Sequence, residues 1–436
     1  MTPTTQGAIV LVVTLAMLLS GAPVAFGLGA ISILFVVLFQ GFDALHVVAE
    51  TFYSGLNDFT LVSIPMFVMM GAAIGSSPAG KDLYEALDRW LYRVPGGLVI
   101  SNLGACALFA ALTGSSPACC AAIGKMGIPE MRRRGYPDDV ATGSICAGGT
   151  LGILIPPSIS MVVYGVVTDT SVGHLFIAGI VPGIMLATLM SMTVLVWVWF
   201  CPEWAPPVKE EPTRREKWLA LGAVTPVIVL TALVIGSIFS GAATPTEAGA
   251  VGAFGALFIA LFMRRLTMEV LWVSLQKTIR TTAMFLLLLT GGTFSSYLMA
   301  RLGIPQAVSD FMTGLPLPPW AVMVIINFTL LILGTFMDAG SMVVIVIPIF
   351  LKTILSLGYD PVWFGIVVVI QSEIAAISPP VGFNLFVLKS VVPGVSDNDV
   401  ANGAMIFVFP MLAAIAILTV FPDIALFLPR MLLTNK

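Results

Sequence analysis

The stretch EIAAISPPVGFNLF (residues 373–386) interrupts an apolar segment with two prolines, a serine, a glycine and an asparagine. Proline lacks the backbone N–H that continues an α-helix, so the pair at 379–380 predicts a broken helix. In a lipid bilayer every unpaired backbone group costs several kcal/mol, and a break is tolerated only where protein or a water-filled cavity surrounds it. The stretch therefore predicts a membrane helix that is broken for a functional reason.

The composition is that of a polytopic membrane protein. Of the 436 residues 58% are apolar and 10% charged, and the mean hydropathy is +1.02. A bilayer core of about 30 Å needs roughly 20 apolar residues per helix, and apolar runs fill nearly the whole chain, so we predict an all-α fold with about eleven transmembrane helices. The N-terminal apolar stretch has no preceding Lys or Arg and is predicted to be a retained first helix. No nucleic-acid partner is expected.

Basic residues cluster in four short segments, which the positive-inside rule places in the cytoplasm. These segments are 81–93, 125–134, 209–217 and 264–265. The charged and apolar residues of 81–94 alternate at helical spacing and predict an amphipathic helix in the membrane interface. The polar, proline-rich segment 201–217 predicts a cytoplasmic linker between two halves of similar length, 1–200 and 218–436.

Three landmarks recur in the two halves at nearly one offset. The number of residues from Gly135-Tyr136 to Gly358-Tyr359 equals the number from the Pro-Pro pair at 156–157 to the pair at 379–380. SGAPVAFGLGA (20–30) resembles ATPTEAGAVGA (243–253), and the prolines at 23 and 245 keep that spacing to within one position. The pattern predicts an internal duplication. In transporters such duplications bury the substrate site between helices that are broken at matching positions.

Each half also contains a segment rich in small residues, 111–124 or 334–348, whose apolar arms are too short for a comfortable span. We predict re-entrant hairpins near 113–130 and 335–357, and broken helices near 150–160 and 373–386. Free carbonyls at the end of a half-helix suit Na⁺, and free N–H groups at the start of one suit a carboxylate.

Three acidic residues lie in apolar surroundings, where a carboxylate by default marks an ion path. Asp338 is expected to bind a cation, with a helix N-cap as the alternative. Glu247 follows Pro245 and Thr246, which favours a helix start, and Glu373 is left open between the membrane and its interface. Arg301 is considered for a substrate carboxylate, although an arginine at a helix end usually snorkels.

Hydroxyl and amide groups offer further ligands: Ser115, Ser116 and Ser158 in the first half, and Ser378 and Asn384 in the second. The alternative is that serine and glycine simply let helices pack closely. The five cysteines lack metal-binding spacing and are expected to be small apolar filler.

The chain resembles the large membrane subunit of the tripartite ATP-independent periplasmic (TRAP) transporters. The resemblance rests on stretches found in family order between about residues 50 and 395. They are LTGSSPA, IPEMRRRGY, AGGTLGILIPPSI, VYG, LFIAGIVPG, TPTEAGAVGA, GIPQ, FMDAGSM and PPVGFNLFV. One departure is Ser378, where the family pattern leads us to expect threonine.

The resemblance implies Na⁺-coupled uptake of an organic acid anion by an elevator mechanism, in the cytoplasmic (inner) membrane of a bacterium or archaeon. It implies a small four-helix membrane subunit and a soluble periplasmic substrate-binding protein as partners, and no cofactor beyond the coupling ion. The implied Na⁺-binding residues are Ser115, Ser116, Pro156, Ser158, Asp338, Ser378, Gly382 and Asn384. The implied substrate-binding residues are Ser341, Pro157, Pro380 and Arg301.

The same resemblance divides the chain into a scaffold and a mobile transport domain. The predicted parts are a first scaffold part (1–95), a first transport repeat (96–200), the linker (201–217), a second scaffold part (218–319), a second transport repeat (320–395) and a C-terminal scaffold helix (396–436).

Other classes fit less well. The chain has only His46 and His174 and shows no HExxH or GxSxG motif, which disfavours an intramembrane enzyme. Glycine-rich hairpins also occur in channels, but a channel does not need duplicated hairpins and breaks. A receptor-independent, ion-coupled anion transporter remains the nearest alternative.

Overall fold

The computed structural model describes residues 3–77, 79–206, 211–379 and 382–433. Within these ranges the chain folds into 21 α-helices, with a few short 3-10 turns and no β-strand. The predicted all-α fold is therefore confirmed.

Ten helices precede the linker region. They are α1 (Pro3–Leu19), α2 (Val24–Gln40), α3 (His46–Leu56), α4 (Ser63–Gly75), α5 (Ala79–Leu91), α6 (Gly97–Thr113), α7 (Ser116–Arg133), α8 (Asp138–Leu154), α9 (Ile159–Thr168) and α10 (Val172–Phe200).

Eleven helices follow it. They are α11 (Arg214–Phe239), α12 (Pro245–Phe262), α13 (Met268–Arg301), α14 (Ile304–Thr313), α15 (Pro319–Gly334), α16 (Ala339–Ser356), α17 (Pro361–Ile377), α18 (Phe383–Val391), α19 (Asp397–Met405), α20 (Val408–Val420) and α21 (Asp423–Leu433).

The two halves repeat the same order of helices. Helices α6 to α9 begin at positions 97, 116, 138 and 159, and α15 to α18 begin at positions 319, 339, 361 and 383. Each pair of starts keeps the spacing of the two Pro-Pro pairs to within one position. The offset read from short sequence landmarks therefore extends to whole helices.

The halves are packed into each other rather than side by side. Helix α7 of the first half contacts α18 of the second, and the equivalent pair, α16 and α9, is also in contact. The same exchange relates α2 with α13 and α4 with α12. Each half thus completes its packing with helices of the other.

The helices are long and apolar enough for a multi-pass membrane protein. Among the described residues, six helical segments qualify as spans by length and hydropathy, or eight if two bent pairs each count as one. Large apolar side chains such as Trp218, Phe254, Phe258 and Trp272 are exposed on the outside, as expected for contact with lipid. The number of about eleven spans stays a prediction.

Three segments differ in detail from their predicted extents. Helix α11 begins at Arg214, inside the predicted linker, because Thr213 and Glu216 form a capping box there. Residues 207–210 of the linker lie outside the described residues. The interfacial segment is helical over Ala79–Leu91. The C-terminal segment contains three helices, and the last begins after Pro422, whose ring disfavours helical conformation at Phe421.

Candidate functional site

The first hairpin, formed by α6 and α7, turns at Gly114 and Ser115. Gly114 has a φ of +57°, which glycine adopts without strain, and Ser115 is extended before α7 begins. Pro117, in the first turn of α7, is well placed because the N–H that it lacks has no partner within the helix. Glycine and proline thus define the tip. The predicted range 113–130 covers only this tip and α7, whereas the first arm of the hairpin is α6.

The tip of the first hairpin lies directly against the first break, residues 155–158. A Cβ added to Gly114 would lie 2.6 Å from the carbonyl oxygen of Pro157. The Ile159 N–H donates to the carbonyl oxygen of Gly114 at 3.5 Å. Close backbone approach, which only glycine permits, therefore joins the hairpin to the broken helix.

The first break bends the α8–α9 pair by 42°. Ile155 is extended because it precedes a proline, and Ser158 caps α9 by accepting a hydrogen bond from the Met161 N–H at 3.4 Å. Pro156, Pro157 and Ser158 are buried.

The second hairpin, formed by α15 and α16, turns before Asp338, which is the N-cap of α16. Asp338 Oδ2 accepts from the Gly340 and Ser341 N–H groups at 3.0 and 3.4 Å, and Oδ1 accepts from the Ser341 hydroxyl. The Asp338 side chain is exposed, whereas Ser341 is buried. Helix capping therefore accounts for the contacts of Asp338, and its role in cation binding stays a prediction.

The second break separates α17 from α18. The Ser378 hydroxyl donates to the Ile374 carbonyl oxygen at 2.7 Å within α17, and Gly382 has a φ of +54° before α18. Gly334, at the end of α15, packs closely enough on α17 that an added Cβ would lie 2.8 Å from that of Ala375. Pro380 lies outside the described residues, so its predicted substrate contact is not placed.

A polar cluster joins the two halves, and we call Ser116, Glu373 and Asn384 the inter-repeat cluster. The Asn384 side-chain amide donates from Nδ2 to Ser116 Oγ at 2.6 Å, although the two residues are far apart in sequence. The Ser116 side chain also lies close enough to the Glu373 carboxyl group for the two to interact. All three side chains are at most 1% exposed. Asn384 belongs to the second half of the chain but contacts the first hairpin, because α18 packs on α7.

Two oxygens of this cluster have no hydrogen-bond partner: Glu373 Oε2 and Asn384 Oδ1. The sequence did not decide whether Glu373 lies in the membrane or at its interface. The structure buries it in α17. Its position shortly before the Pro-Pro pair was the one signal available.

Two other predicted residues, Arg301 and Glu247, lie apart from the inter-repeat cluster. Arg301 is exposed at the end of α13, and its described contact is with Tyr297 of the same helix, whose hydroxyl lies 3.0 Å from Arg301 Nε. Glu247 completes a capping box with Thr244 at the start of α12, which is the helix-start role that the sequence favours.

The cysteines of the first hairpin act as small packing residues. Cys119 and Cys120 are fully buried. An added Cβ on Gly149 of α8 would lie 2.1 Å from Cys120 Sγ, so α7 and α8 approach closely at this point. Among the described residues no group of three or more His, Cys, Asp and Glu side chains is arranged to hold a metal ion.

Two hairpins and two broken helices, duplicated within an all-helical membrane chain, define a transporter of the type in which half-helix ends meet at the repeat interface. The chain belongs to the family described as "Tripartite ATP-independent periplasmic transporter, DctM component", whose model matches residues 11–424. The resemblance inferred from the motifs is confirmed, and the protein is a TRAP transporter large permease rather than an enzyme.

Relatives of known name agree with this assignment. The chain is 36% identical to the C4-dicarboxylate TRAP transporter large permease DctM of Pseudomonas aeruginosa, over 93% of this chain and 94% of that one. It is 31% identical to the sialic acid TRAP transporter large permease SiaM of Vibrio cholerae, over 96% and 97% of the two chains. The fold is similar to that of the Alcanivorax borkumensis YdaH transporter, with a TM-score of 0.62, 13% identity and coverage of 87% and 88%.

Proposed function

We propose that this chain is the translocating subunit for Na⁺-driven uptake of an organic acid anion across the cytoplasmic (inner) membrane of a bacterium or archaeon. It would act with a small four-helix membrane subunit and a soluble periplasmic substrate-binding protein. The named relatives transport a C4-dicarboxylate and sialic acid, and both substrates carry carboxylates. The observation that carries the proposal is the contact between the first hairpin tip and the first break, at Gly114 and Pro157.

The junctions of hairpins and breaks supply the chemistry for both ions. At the first junction we assign Na⁺ to Ser115, Ser116, Pro156 and Ser158, because the free carbonyls at the end of a half-helix suit Na⁺. At the second junction we assign Na⁺ to Asp338, Ser378, Gly382 and Asn384.

The starts of half-helices carry partial positive charge, which favours the substrate carboxylate. The proposed substrate-binding residues are Ser341 in the first turn of α16 and Pro157 beside α9, together with Pro380 and Arg301.

We further propose an elevator mechanism in which the hairpins and broken helices move together against a scaffold. The exchanged contacts of α7 with α18 and α9 with α16 support a single moving unit. The exchanged contacts of α2 with α13 and α4 with α12 support a separate scaffold.

Uptake into proteoliposomes tests this function. The purified chain, its small subunit and its binding protein are reconstituted, and uptake of radiolabelled C4-dicarboxylates, sialic acid and other sugar acids is measured with an inward Na⁺ or K⁺ gradient. We expect saturable uptake of one class that requires both Na⁺ and the binding protein. Uptake without the binding protein would instead show a receptor-independent transporter, and flux that does not saturate would show a channel.

A further inference from the structure

The outer surface where α5 meets the start of α11 combines exposed aromatic rings with positive charge. Trp90, near the end of α5, and Trp218, near the start of α11, pack edge to face with 5.8 Å between ring centroids. The Trp90 Nε1–H donates to the carbonyl oxygen of Lys217 at 3.3 Å, and Arg89 donates from Nη1 to that of Glu216 at 3.2 Å. These contacts hold the end of α5 on the first turn of α11.

The cations at this surface outnumber the acids. Segments 89–93 and 211–217 together contain five arginine and lysine residues but two glutamates. The Glu216 carboxylate is used in the capping box of α11. Glu211 lies 4.0 Å from Arg93 with both side chains 76% exposed, which makes a weak ion pair. The surface therefore keeps a net positive charge.

Arg214 and Arg215 are the cations with the fewest contacts. Both are exposed, and within the described part of the chain neither is in an ion pair. They precede Trp218 by four and three positions, so the three side chains lie on one face of the helix. Lys217 Nζ lies 4.2 Å from the centre of the Tyr92 ring, which keeps a further cation at this surface. We call this surface the α5–α11 patch, and its members are Trp90, Arg93, Arg214, Arg215, Lys217 and Trp218.

The patch lies at the level expected for lipid headgroups. Trp218 is 65% exposed, and Leu219, which follows it, is 62% exposed where the apolar part of α11 begins. Tryptophan rings concentrate at the boundary between lipid and water, and α5 is an amphipathic helix of the kind that lies in that plane. The basic segments assign this boundary to the cytoplasmic side of the membrane.

The second half shows that an amphipathic helix in this position does not need such a patch. At the offset that relates the two Pro-Pro pairs, α5 corresponds to α14. Helix α14 contains no lysine or arginine, and the positions equivalent to Trp90 and Arg93 are Thr313 and Pro316. Packing of the helix on its neighbours therefore accounts for its apolar face but not for the patch.

An anionic phospholipid matches the chemistry of the patch. Its phosphate is negatively charged and accepts paired hydrogen bonds from guanidinium groups. Its acyl chains would lie beside exposed apolar side chains such as Leu219, and its headgroup beside the tryptophan rings. An acidic peptide would match the charge, but it would not account for exposed tryptophans at the edge of an apolar surface.

We propose that the α5–α11 patch binds the headgroup of an anionic phospholipid, with Arg214 and Arg215 as the ligands of its phosphate. The inference goes beyond the proposed function, because it does not depend on which ion or substrate is transported. Helix α5 leads directly into α6, and Asp88 of α5 accepts two hydrogen bonds from Arg134 at the end of α7, at 2.9 and 2.7 Å. A lipid that holds α5 on α11 therefore also fixes the base of the first hairpin.

The test measures lipid binding to the purified chain with its small subunit. The protein in detergent is titrated with dioleoylphosphatidylglycerol or with dioleoylphosphatidylcholine, which has the same acyl chains but no net charge. Native mass spectrometry counts the bound lipids, and thermal unfolding is followed in parallel. The variant carries Arg214→Gln and Arg215→Gln, which should fold normally because both side chains are exposed. The matched control carries Arg264→Gln and Arg265→Gln, another exposed pair of neighbouring arginines in a basic segment outside the patch.

We expect the wild type to retain phosphatidylglycerol under conditions that remove phosphatidylcholine. Phosphatidylglycerol alone should raise its melting temperature, since a ligand that binds only the folded state stabilises that state. Loss of Arg214 and Arg215 should weaken binding about thirtyfold, because each cation near an anionic membrane surface contributes about 1 kcal/mol and 1.4 kcal/mol corresponds to a factor of ten. The control variant should bind phosphatidylglycerol like the wild type.

Three results would overturn the inference. Equal binding of the two lipids by the wild type would show that the patch does not select an anionic headgroup. Equal losses in the two double variants would show a general attraction to positive charge rather than a site at the patch. Binding of poly-glutamate that requires Arg214 and Arg215 and does not compete with phosphatidylglycerol would show a docking surface for an acidic protein. None of these results depends on the proposed function, because lipid binding is measured without transport.

Discussion

Replacing Gly114 by alanine tests the contact on which the proposed function depends. Alanine in the left-handed conformation of Gly114 costs about 1–2 kcal/mol. Its Cβ would also lie 2.6 Å from Pro157 O, against about 3.4 Å for ordinary contact, so the hairpin tip must withdraw by roughly 0.8 Å. Overpacking of this kind costs about 1–3 kcal/mol. We expect Gly114→Ala to lower the free energy of unfolding by about 2–5 kcal/mol in total.

Gly135→Ala is the matched control, because Gly135 has a φ of +84° and nothing within 4 Å of an added Cβ. It should cost only the conformational term of about 1–2 kcal/mol and leave uptake unchanged. The assays are denaturant unfolding in detergent and Na⁺-driven uptake in proteoliposomes. If the two variants have equal stability and equal uptake, the contact between the hairpin tip and the break has no role, and the reasoning is refuted.

Three further predictions concern other contacts. Glu247→Gln should lower the free energy of unfolding only slightly and leave the Na⁺ dependence of uptake unchanged, because Glu247 is exposed and acts in a capping box. A loss of Na⁺ dependence would instead place Glu247 on the ion path. Gly403→Ala should destabilise the protein by about 3 kcal/mol, because the added Cβ would lie 1.9 Å from Asp139 O. Gly236→Ala, with open space around the added Cβ, should stabilise it by about 0.5–1 kcal/mol. Denaturant unfolding of both variants checks these values. Burial alone would raise the pKa of Glu130, but hydrogen bonds from Arg133 and Arg134 outweigh it and hold the pKa below its usual range. The stabilisation by Glu130 should therefore be present above about pH 4.3 and disappear as the pH falls further, so the melting temperatures of the wild type and Glu130→Gln should converge in acid.

The breaks and turns at the two hairpin–break junctions follow from local sequence. Proline at 156–157 and glycine at 114 act on the backbone within one or two residues, so their effects do not depend on the rest of the fold. The capping role of Glu247 is equally local, because Thr244 and Glu247 lie within one helical turn of each other. Features of this kind can therefore be predicted from the sequence alone.

The composition of the inter-repeat cluster depends on contacts between segments that are distant in the chain. A single sequence does not reveal such contacts. Asn384 meets Ser116 only because α18 packs on α7, and this pairing is set by the exchange of helices between the halves. For the same reason, the sequence does not predict the surroundings of Asp338 and Glu373. Asp338 lies exposed at a helix start, while Glu373 lies buried, and both follow apolar segments in the sequence.

The exchange of helices between the halves has a consequence for how such a protein is assembled. Neither half buries all of its own surfaces, since α7 packs on α18, α16 packs on α9, and the pairs α2 with α13 and α4 with α12 cross over in the same way. A chain cut in the linker should therefore yield two fragments that are insoluble or degraded alone and active when co-expressed. In this respect the two halves resemble two interlocked subunits of a dimer that have been joined into one chain. The linker makes their association intramolecular instead of bimolecular.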